Sequence, residues 1–419
     1  MYNLLKRLFP ICRSISGEGV RETLRIIKEI IPINISEIST GEKVFDWIIP
    51  DEWNIKDAYV KNDNGERVID FKKSNLHILN YSAPFEGKVS LKELKEHLYT
   101  LPDQPELIPY VTSYYERRWG FCISHNQFIT LKDAKYDVKI DSSLKKGSLT
   151  YADLIIPGKV ESEILISTYV CHPSMANNEL SGPVISTYLA KYIIGKKHKP
   201  FYTYRFVFVP ETIGAIAYIS QHLKNLKKNV IAGYVITCAG DRGNFSYLQT
   251  RFEDTLVDRI TLHILKNTED KFKVYNFTDR GSDERQYNAP GIDLPIGSLM
   301  RSKYHEYPEY HTSADNLDFV TDEDLIKTRD KYIDCLNAIE NNHIYKTTVL
   351  CEPHLSKYNL YNTIGVKGDS DNLFWNVIAY SDGENDLLDI AEKMNKPIWD
   401  LYPIIQVLLQ KGLIIKHSD

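Results

Sequence analysis

The chain has 419 residues, a formal net charge of -5 and 43% hydrophobic residues. This is the composition of a globular protein, and the length allows two or three domains of ~100–200 residues each. The mildly acidic balance excludes a general electrostatic attraction to nucleic acid or to an anionic membrane surface.

Cysteine usage and the amino terminus both indicate a reducing compartment. The six cysteines include no C-x-x-C pair, so we expect neither a structural zinc site nor a disulfide scaffold. The first apolar run is broken by Lys6, Arg7 and Pro10 and is far too short for a secretory signal. No stretch approaches the ~18 consecutive apolar residues of a membrane-spanning helix. The sequence therefore predicts a cytoplasmic protein that does not act on a membrane.

The first two regions of the chain differ in periodicity. Residues 1–32 favour helix, with apolar residues at helical spacing in GEGVRETLRIIKEII. From about residue 40 to about residue 140, short β-like runs alternate with Asp, Asn and Gly, and Asn64-Gly65 is typical of a hairpin turn. We predict an inserted β-rich domain at residues 41–134.

The next region alternates strands with helices. The runs EILISTYV (163–170), YRFVFVP (204–210) and NVIAGYVITC (229–238) are apolar, which suits strands buried on both faces. Helical patterns lie between and after them. This predicts an α/β fold with a mostly parallel or mixed sheet flanked by helices.

We assign this α/β domain to residues 1–40 plus 135–342. Ligands of such sheets bind in loops beyond the carboxyl ends of the strands. The informative loops are those after Val170, Pro210, Cys238 and Met300.

Residues 343–419 have a third character. Two helical patterns are followed by Gly412 and the β-like run LIIK, and this order and size predict a winged helix. Its second helix, in KPIWDLYPIIQVLLQKG, has few cations, whereas a recognition helix normally brings Lys and Arg to DNA. We therefore expect this module to pack against the catalytic body or a second subunit, in a homo-oligomer, rather than to bind nucleic acid.

The strand-end loops carry side chains suited to metal and acid–base chemistry. In chain order they contribute His172, Asn178, Glu179, Glu211, Asp283 and His311. Each alone has an ordinary alternative, such as a turn residue, a helix cap or a solvated side chain. The set as a whole, occurring in order at strand ends, suits a metal-activated water with a carboxylate base.

The order of these segments resembles the zinc-dependent aminopeptidase superfamily of the co-catalytic-metal type, which includes glutaminyl cyclase relatives. The matching segments are CHPSMANNELSG, PETIG, VITCAGD, GSDE and YHTSAD. More narrowly, the three-part layout is similar to bacterial aminopeptidase-like proteins with an inserted β domain and a C-terminal winged helix. The stretches IPYVTSYYERRWGFC and ICRSISGEGVRETL also match. These proteins often accompany surface-polysaccharide genes, so the resemblance implies a role near polysaccharide biosynthesis.

The resemblance implies His172 and His311 as metal ligands and Glu211 as the general base. The chain departs from the pattern at three metal-binding positions, where Thr212 stands for a Glu, Asn178 for the bridging Asp, and Thr237 or Cys238 for the third acid. Two dications ~3.5–4 Å apart need bridging negative charge to offset their repulsion. We therefore do not expect a conventional dinuclear site.

A single zinc ion per chain remains consistent with these residues. Two imidazoles, one carboxylate and an open position form a familiar catalytic set. We expect His172, Glu179 and His311 to bind the ion, with Asn178 as the alternative to Glu179. Manganese or cobalt would suit a related set of ligands.

The expected reaction is hydrolysis of the amide at the N-terminal end of a small peptide or aminoacylated compound. Glu211 would accept a proton from the zinc-bound water and return it to the leaving amine. Asp283 would orient a ligand or the base. The alternatives are a non-catalytic ligand-binding or scaffold protein with a degenerate peptidase pocket, and a DNA-binding regulator.

The stretch TSYYERRWGFC in the predicted insert concentrates aromatic and arginine side chains. Placed over a sheet-edge site, such side chains would grip a carboxylate or a sugar. A solvated turn with one core Trp is the alternative.

Overall fold

The structure is a computed structural model that describes residues 1–360 and 369–417. Residues 361–368 and 418–419, which fall in the predicted winged helix, lie outside the described residues. The helices are α1 Tyr2–Leu8, α2 Glu18–Lys28, α3 Leu91–Glu96, α4 His125–Ile129, α5 Ser181–Ile194, α6 Ile213–Asn229, α7 Leu256–Thr268, α8 Glu284–Tyr287, α9 Asp322–Asn341, α10 Asp369–Tyr380, α11 Leu387–Lys393 and α12 Tyr402–Gln410. The strands are β1 Asn34–Ser39, β2 Lys43–Val44, β3 Trp47–Ile48, β4 Glu52–Lys61, β5 Arg67–Asp70, β6 Phe85–Ser90, β7 Leu98–Tyr99, β8 Phe121–Cys122, β9 Lys135–Lys145, β10 Ser148–Ile156, β11 Glu163–Tyr169, β12 Thr203–Val209, β13 Val230–Val235, β14 Phe245–Leu248, β15 Phe272–Tyr275, β16 Ile296–Met300, β17 Ile344–Thr347, β18 Asp382–Asp386 and β19 Ile414–Lys416.

The chain forms two compact units. The first contains residues 1–257 and 271–331, and the second contains residues 258–270 and 332–419. Among the described residues, no helix combines the length and the apolar character that crossing a bilayer requires.

A mixed sheet forms the core of the first unit, with strand order β1-β10-β12-β11-β13-β16-β14-β15. The central strands β12, β11, β13 and β16 run parallel to one another. Strands β11 and β12 are buried at every position, which explains why their sequences are mostly apolar on both faces rather than alternating. The predicted α/β class, with a mixed sheet flanked by helices, is confirmed.

A second, antiparallel sheet has the order β5-β4-β9-β6. Strands β4 and β5 pair around Asn64-Gly65, and Gly65 has a φ of 81°, so the predicted hairpin is confirmed. The pairing of β9 with β4 and β6 carries this sheet to residue 145, past the predicted boundary at residue 134. The three-domain boundaries themselves stay a prediction.

The second unit has the small mixed architecture expected of a winged helix. Strands β18, β17 and β19 form an antiparallel sheet beside α10, α11 and α12. A capping box between Asp386 and Asp389 begins α11 because each residue's carboxylate accepts a backbone N–H of the other. The apolar face of this helix is buried at Leu387, Ile390 and Ala391. The C-terminal winged helix is confirmed.

Candidate active site

Three loops that follow parallel strands bring their polar side chains to one edge of the main sheet. His172 follows β11, Glu211 follows β12 and His311 lies in the segment after β16. The two imidazole rings have centroids 5.4 Å apart, and His172 Nε2 lies 3.8 Å from a carboxylate oxygen of Glu211. They line a cavity of about 500 Å³. Its walls are formed by Trp47, Tyr110, Val111, Thr112, Tyr114, Tyr115, His172, Glu211, Thr212, Arg285 and His311.

The loop after β11 ends in a tight π-type turn, Ala176–Leu180, which is fully buried. Asp315 holds this turn, because its carboxylate accepts hydrogen bonds from the backbone N–H groups of Asn177 at 2.6 Å and Asn178 at 2.9 Å. Burial raises the pKa of Asp315 to about 7, although these hydrogen bonds act to lower it. Just beyond the turn, a Cβ at Gly182 would overlap backbone and side-chain atoms of the sheet, so glycine permits the close approach. Turns of this kind are frequent at functional sites.

Glu179 fixes the ring of His172. One carboxylate oxygen lies 2.8 Å from Nδ1 and 2.7 Å from the backbone nitrogen of His172. The other lies 3.2 Å from Nε of Arg13, which also donates to the carbonyl oxygen of His172 at 2.9 Å. The side chains of Arg13 and Glu179 are 0% exposed. With Nδ1 engaged by Glu179, Nε2 is the nitrogen that faces Glu211.

Cys171 lies beside this pair, with Sγ 3.2 Å from Nδ1 of His172. Cys171, His172 and Glu179 offer atoms within 4.8 Å of one another, a spacing that a metal could use. The charge at this point is nevertheless already balanced by the Arg13 guanidinium. Burial raises the pKa of Cys171 well above its usual value, so the sulfur stays a thiol, which is a poor ligand. We therefore interpret the cluster as a support for His172.

The protonation of the two histidines diverges. Burial lowers the pKa of His172, but the hydrogen bond and charge of Glu179 and the charge of Glu211 outweigh it, so the pKa is raised. Burial, together with the nearby charge of His172, lowers the pKa of His311 well below its usual value. His311 is therefore neutral at neutral pH and keeps a lone pair for a ligand.

Glu211 is presented by a strained turn. Thr212 has φ 64° and ψ -78°, and the N–H of Ile213 donates to the carbonyl oxygen of Glu211 at 2.8 Å. This is a γ-turn with positive φ, a rare conformation that is costlier still for a β-branched residue. Such strain persists only where the surroundings enforce it, and it is often found at active sites.

Two side chains from the start of α8 hold that turn. Asp283 accepts a hydrogen bond from the backbone N–H of Thr212 at 2.7 Å, and Arg285 donates to the Thr212 hydroxyl at 2.7 Å. Although Asp283 occupies the cap position of α8, its side chain makes no capping bond there. Its role in the fold is to fix the turn that carries Glu211.

The carboxyl groups of Glu211 and Asp283 are both shifted toward the protonated form. Burial raises the pKa of Glu211, against the lowering effects of the His172 charge and of a 3.0 Å hydrogen bond from the Ser282 hydroxyl. Burial and the nearby charge of Glu211 raise the pKa of Asp283 well above its usual value. The side chain of Glu211 remains 24% exposed to the cavity. A raised pKa at a cavity-facing carboxyl is typical of groups that transfer protons.

His311 is held by rings and by Asn178. Its ring stacks on Tyr310 with centroids 3.9 Å apart, and Nε2 lies 3.2 Å from Oδ1 of Asn178. The Nδ2 of the same amide donates to the Tyr169 hydroxyl, which leaves Oδ1 toward His311. Tyr110 packs against both histidines, with its centroid 5.0 Å from each imidazole.

The donor set fits one divalent cation better than two. The ring of His172 lies 5.4 Å from that of His311, whose Nε2 is 3.2 Å from the Asn178 amide oxygen. The second distance matches the ~3.3 Å that separates two ligands bound at ~2.0 Å in a tetrahedral zinc shell. At the second position the hydroxyl of Thr212 bonds to Arg285. A neutral hydroxyl engaged in this way does not offset the repulsion between two dications.

The predicted residues are brought together at this edge, but with different neighbours. His172, Glu211 and His311 line the cavity, whereas Glu179 and Asp283 are buried behind it. The assignment of Glu179 as a metal ligand stays a prediction, and its contacts favour an orienting role instead.

Sequence reasoning missed three contributors to the site. Arg13 lies 166 positions from Glu179, Tyr110 comes from the predicted β insert, and Arg285 belongs to α8. Arg13 and Tyr110 stand in stretches that match the resembling family, but nothing in those stretches assigns them to the site, which all three reach through the tertiary fold. Of TSYYERRWGFC, the two tyrosines line the cavity, whereas the arginines are exposed and are not among its walls.

Two family models match the chain. Residues 2–342 match a domain of unknown function, DUF4910, and residues 343–416 match a winged helix-turn-helix. A protein from Clostridium acetobutylicum is 49% identical over 400 residues, which cover 94% of this chain and 91% of the relative. It is provisionally named as a polysaccharide biosynthesis protein with an aminopeptidase-like domain.

Solved structures agree with this relationship. A crystal structure of a provisionally named peptidase from Clostridium acetobutylicum superposes with a TM-score of 0.93 at 45% identity, covering 99% of this chain and 95% of the other. A zinc aminopeptidase from Bacillus subtilis gives a TM-score of 0.57 at 10% identity, covering 81% and 93%, which shows a shared fold. The chain therefore belongs to the DUF4910 family and joins an aminopeptidase-like fold to a C-terminal winged helix.

Proposed function

We propose that the protein is a metal-dependent hydrolase of the aminopeptidase type. It would act on the amide bond of a small peptide or aminoacylated compound. The observation that carries this proposal is the convergence of His172, Glu211 and His311 on one cavity at the carboxyl edge of the sheet. Ligands of open α/β sheets bind at this edge.

One divalent cation, with zinc as the first candidate, would be held by His172 and His311 and by the amide oxygen of Asn178. When bound, it supplies Lewis-acid polarisation of the scissile carbonyl. Glu179 would act behind His172, because a carboxylate on Nδ1 fixes the ring and makes Nε2 the ligand atom. This assignment takes the Asn178 alternative for the third contact.

Glu211 would move the proton. Its Oε1 accepts from Ser282, which leaves Oε2 directed toward His172 and the cavity. In the proposed reaction a water oxygen forms a bond to the carbonyl carbon while its proton passes to Glu211. The carbon–nitrogen bond then breaks and Glu211 returns the proton to the departing amine. The products are a carboxylic acid and an amine.

The name of the Clostridium acetobutylicum relative supports a place for this reaction near polysaccharide biosynthesis. We propose that it takes place in the cytoplasm, where the free cysteines would stay reduced. The winged helix would mediate packing between subunits, because α12 contains no Lys or Arg for phosphate contacts. Tight, salt-sensitive binding to duplex DNA would contradict this role.

Elemental analysis of the purified chain tests the metal site. After dialysis against zinc, wild type should retain about one ion per chain, and His172→Ala and His311→Ala should each lose it. His198 is exposed and lies away from the cavity walls, so His198→Ala is the matched control and should bind like wild type. Equal metal content in all four proteins would refute the ligand assignment.

Turnover tests the base. On a panel of dipeptides and aminoacyl anilides, Glu211→Gln should lower kcat by roughly 10²–10⁴-fold while the metal content is unchanged. Full activity of Glu211→Gln would show that another group takes the proton.

The second candidate function is ligand binding without catalysis. The observation that favours ligand binding is at Thr212, which stands where the resembling family has a metal-binding acid. Its hydroxyl accepts a hydrogen bond from Arg285. A chain that binds small amides but neither retains metal nor turns them over would support this candidate.

A further inference from the structure

We infer that the cavity selects small amides that carry a carboxylate close to the scissile bond, and that Arg285 binds this carboxylate. The inference rests on the proposed function in that it takes the cavity at the sheet edge as the substrate site. It goes further by specifying a negative charge on the substrate, which the assignments of the metal ligands and the base do not determine.

Arg285 is a cation in the cavity wall with unused donors. Its Nη2 donates to the Thr212 hydroxyl at 2.7 Å. Its Nε is buried and has no hydrogen-bond partner among the described residues. A buried donor without a partner is costly, and a guanidinium presents its donors in a fork that matches a carboxylate. The guanidinium in the cavity wall therefore suits a ligand that supplies oxygen atoms.

The neighbouring carboxylates form no hydrogen bond with the Arg285 guanidinium in the described part of the chain. One carboxylate oxygen of Glu211 accepts from Ser282, and Asp283 accepts from the backbone of Thr212. Within residues 1–360 and 369–417, the half-buried Arg285 forms no salt bridge, although its charge lowers the pKa of Glu211 and of Asp283. A substrate carboxylate would complete the pair that the fold leaves open.

Arg285 is also held in place, as a specificity residue needs to be. Helix α8 is anchored by Glu284, which accepts a 2.7 Å hydrogen bond from the Tyr304 hydroxyl and further bonds from the backbone before the helix. The same helix positions Asp283 under the Glu211 turn. The guanidinium is therefore fixed relative to the base, so a carboxylate bound there would also fix the scissile amide.

The aromatic part of the cavity lining suits the uncharged part of such a substrate. Trp47 and Tyr115 are 37% and 49% exposed, and their rings contact each other edge to face with centroids 5.4 Å apart. Exposed aromatic rings on a cavity rim contribute flat contact surface for an acyl chain, a ring or a sugar face. The carboxylate could come from an amino acid or from a uronic sugar, since both present the same two oxygens.

Binding of two matched probes tests the inference. N-benzoylglycine and its carboxamide have the same shape and differ in charge, and calorimetric titration into the full chain at neutral pH gives both affinities. We expect the acid to bind at least about tenfold more tightly, which is about 1.4 kcal/mol. Arg285→Gln should abolish the preference and Arg285→Lys should keep part of it. Arg117→Gln, at an exposed arginine outside the cavity walls, should bind like wild type.

Three outcomes would overturn the inference: equal affinity of wild type for both probes, no measurable binding of the acid at millimolar concentration, or an unchanged preference in Arg285→Gln. If Arg285→Gln does not fold, the inference is tested by the preference of wild type for the acid over the carboxamide and by the change of that preference in Arg285→Lys. The experiment needs no turnover. A carboxylate preference without hydrolysis would support the inference and contradict the proposed function. Hydrolysis without a carboxylate preference would support the proposed function and contradict the inference.

Discussion

Nδ1 of His172 lies 2.8 Å from a carboxylate oxygen of Glu179, and both side chains are buried. This contact decides which nitrogen of His172 faces the cavity. It also favours an orienting role for Glu179, which the sequence offers as a metal ligand. The ion pair behind it, Glu179 with Arg13, ties the amino-terminal segment to the site.

Removal of Arg13 should destabilise the fold strongly. Arg13→Met leaves the charge of Glu179 buried without its partner, which typically costs about 3–5 kcal/mol. Urea denaturation of the full chain measures this loss. Arg7→Met, which removes an exposed arginine paired with Glu29, is the control and should leave the midpoint almost unchanged. A midpoint shift no larger for Arg13→Met than for Arg7→Met would contradict the buried pair.

Glu179→Gln separates an orienting role from a ligand role. If Glu179 acts through Nδ1 of His172, the substitution should weaken metal affinity by roughly 10–100-fold and leave a measurable site. Loss of a direct ligand, as in His172→Ala, should abolish binding altogether. Competition with a chelating dye measures both affinities. Complete loss of metal from a folded Glu179→Gln protein would restore Glu179 to the ligand set.

Asp283 should matter through the turn it holds. Asp283→Asn retains an oxygen that can accept from the backbone N–H of Thr212, whereas Asp283→Ala loses it. Because a small displacement of a catalytic group can cost about 10²-fold in rate, we expect kcat to fall much further in the alanine variant, with KM little changed. Equal activity of the two variants would show that the hydrogen bond to Thr212 does not position Glu211.

His343 should make the second unit sensitive to acid. Burial and the charge of Lys416 lower its pKa from 6.5 to about 4, against a backbone hydrogen bond that raises it. Between these values the unfolded chain takes up the proton before the folded one does. Stability is therefore fully present above pH 6.5, falls as the pH falls toward 4, and changes no further below that value on account of this group.

The comparison of wild type with His343→Gln isolates this effect. Between about pH 7 and about pH 5, wild type should lose about 1–2 kcal/mol more than the variant, after allowance for partial exposure of the ring. Urea unfolding of the full chain at the two pH values provides the measurement, and His198→Gln, at an exposed position, serves as the control. Parallel losses in wild type and His343→Gln would rule out the proposed titration.

Much of the architecture was readable from local patterns. Mostly apolar runs such as EILISTYV become β11 because a strand covered on both faces favours apolar residues on both of them. The order of strand-end loops places His172, Glu211 and His311 at one edge, because the carboxyl ends of parallel strands point the same way. These predictions depend on periodicity and strand direction, which neighbouring residues determine.

The roles within the site were decided by the tertiary structure. The residues near Glu179 in the sequence do not indicate that Arg13 will neutralise it. In the same way, the residues near Glu211 do not indicate that Asp283 and Arg285 will hold the following turn. A buried charge takes its protonation and its partners from whatever the fold packs against it, however distant in sequence. The sequence by itself therefore determined which side chains reach the sheet edge. The packing of remote segments decided that Nε2 of His172, Oε2 of Glu211 and the Arg285 guanidinium face the cavity. The reason is that hydrogen bonds and charge pairs depend on distance in space.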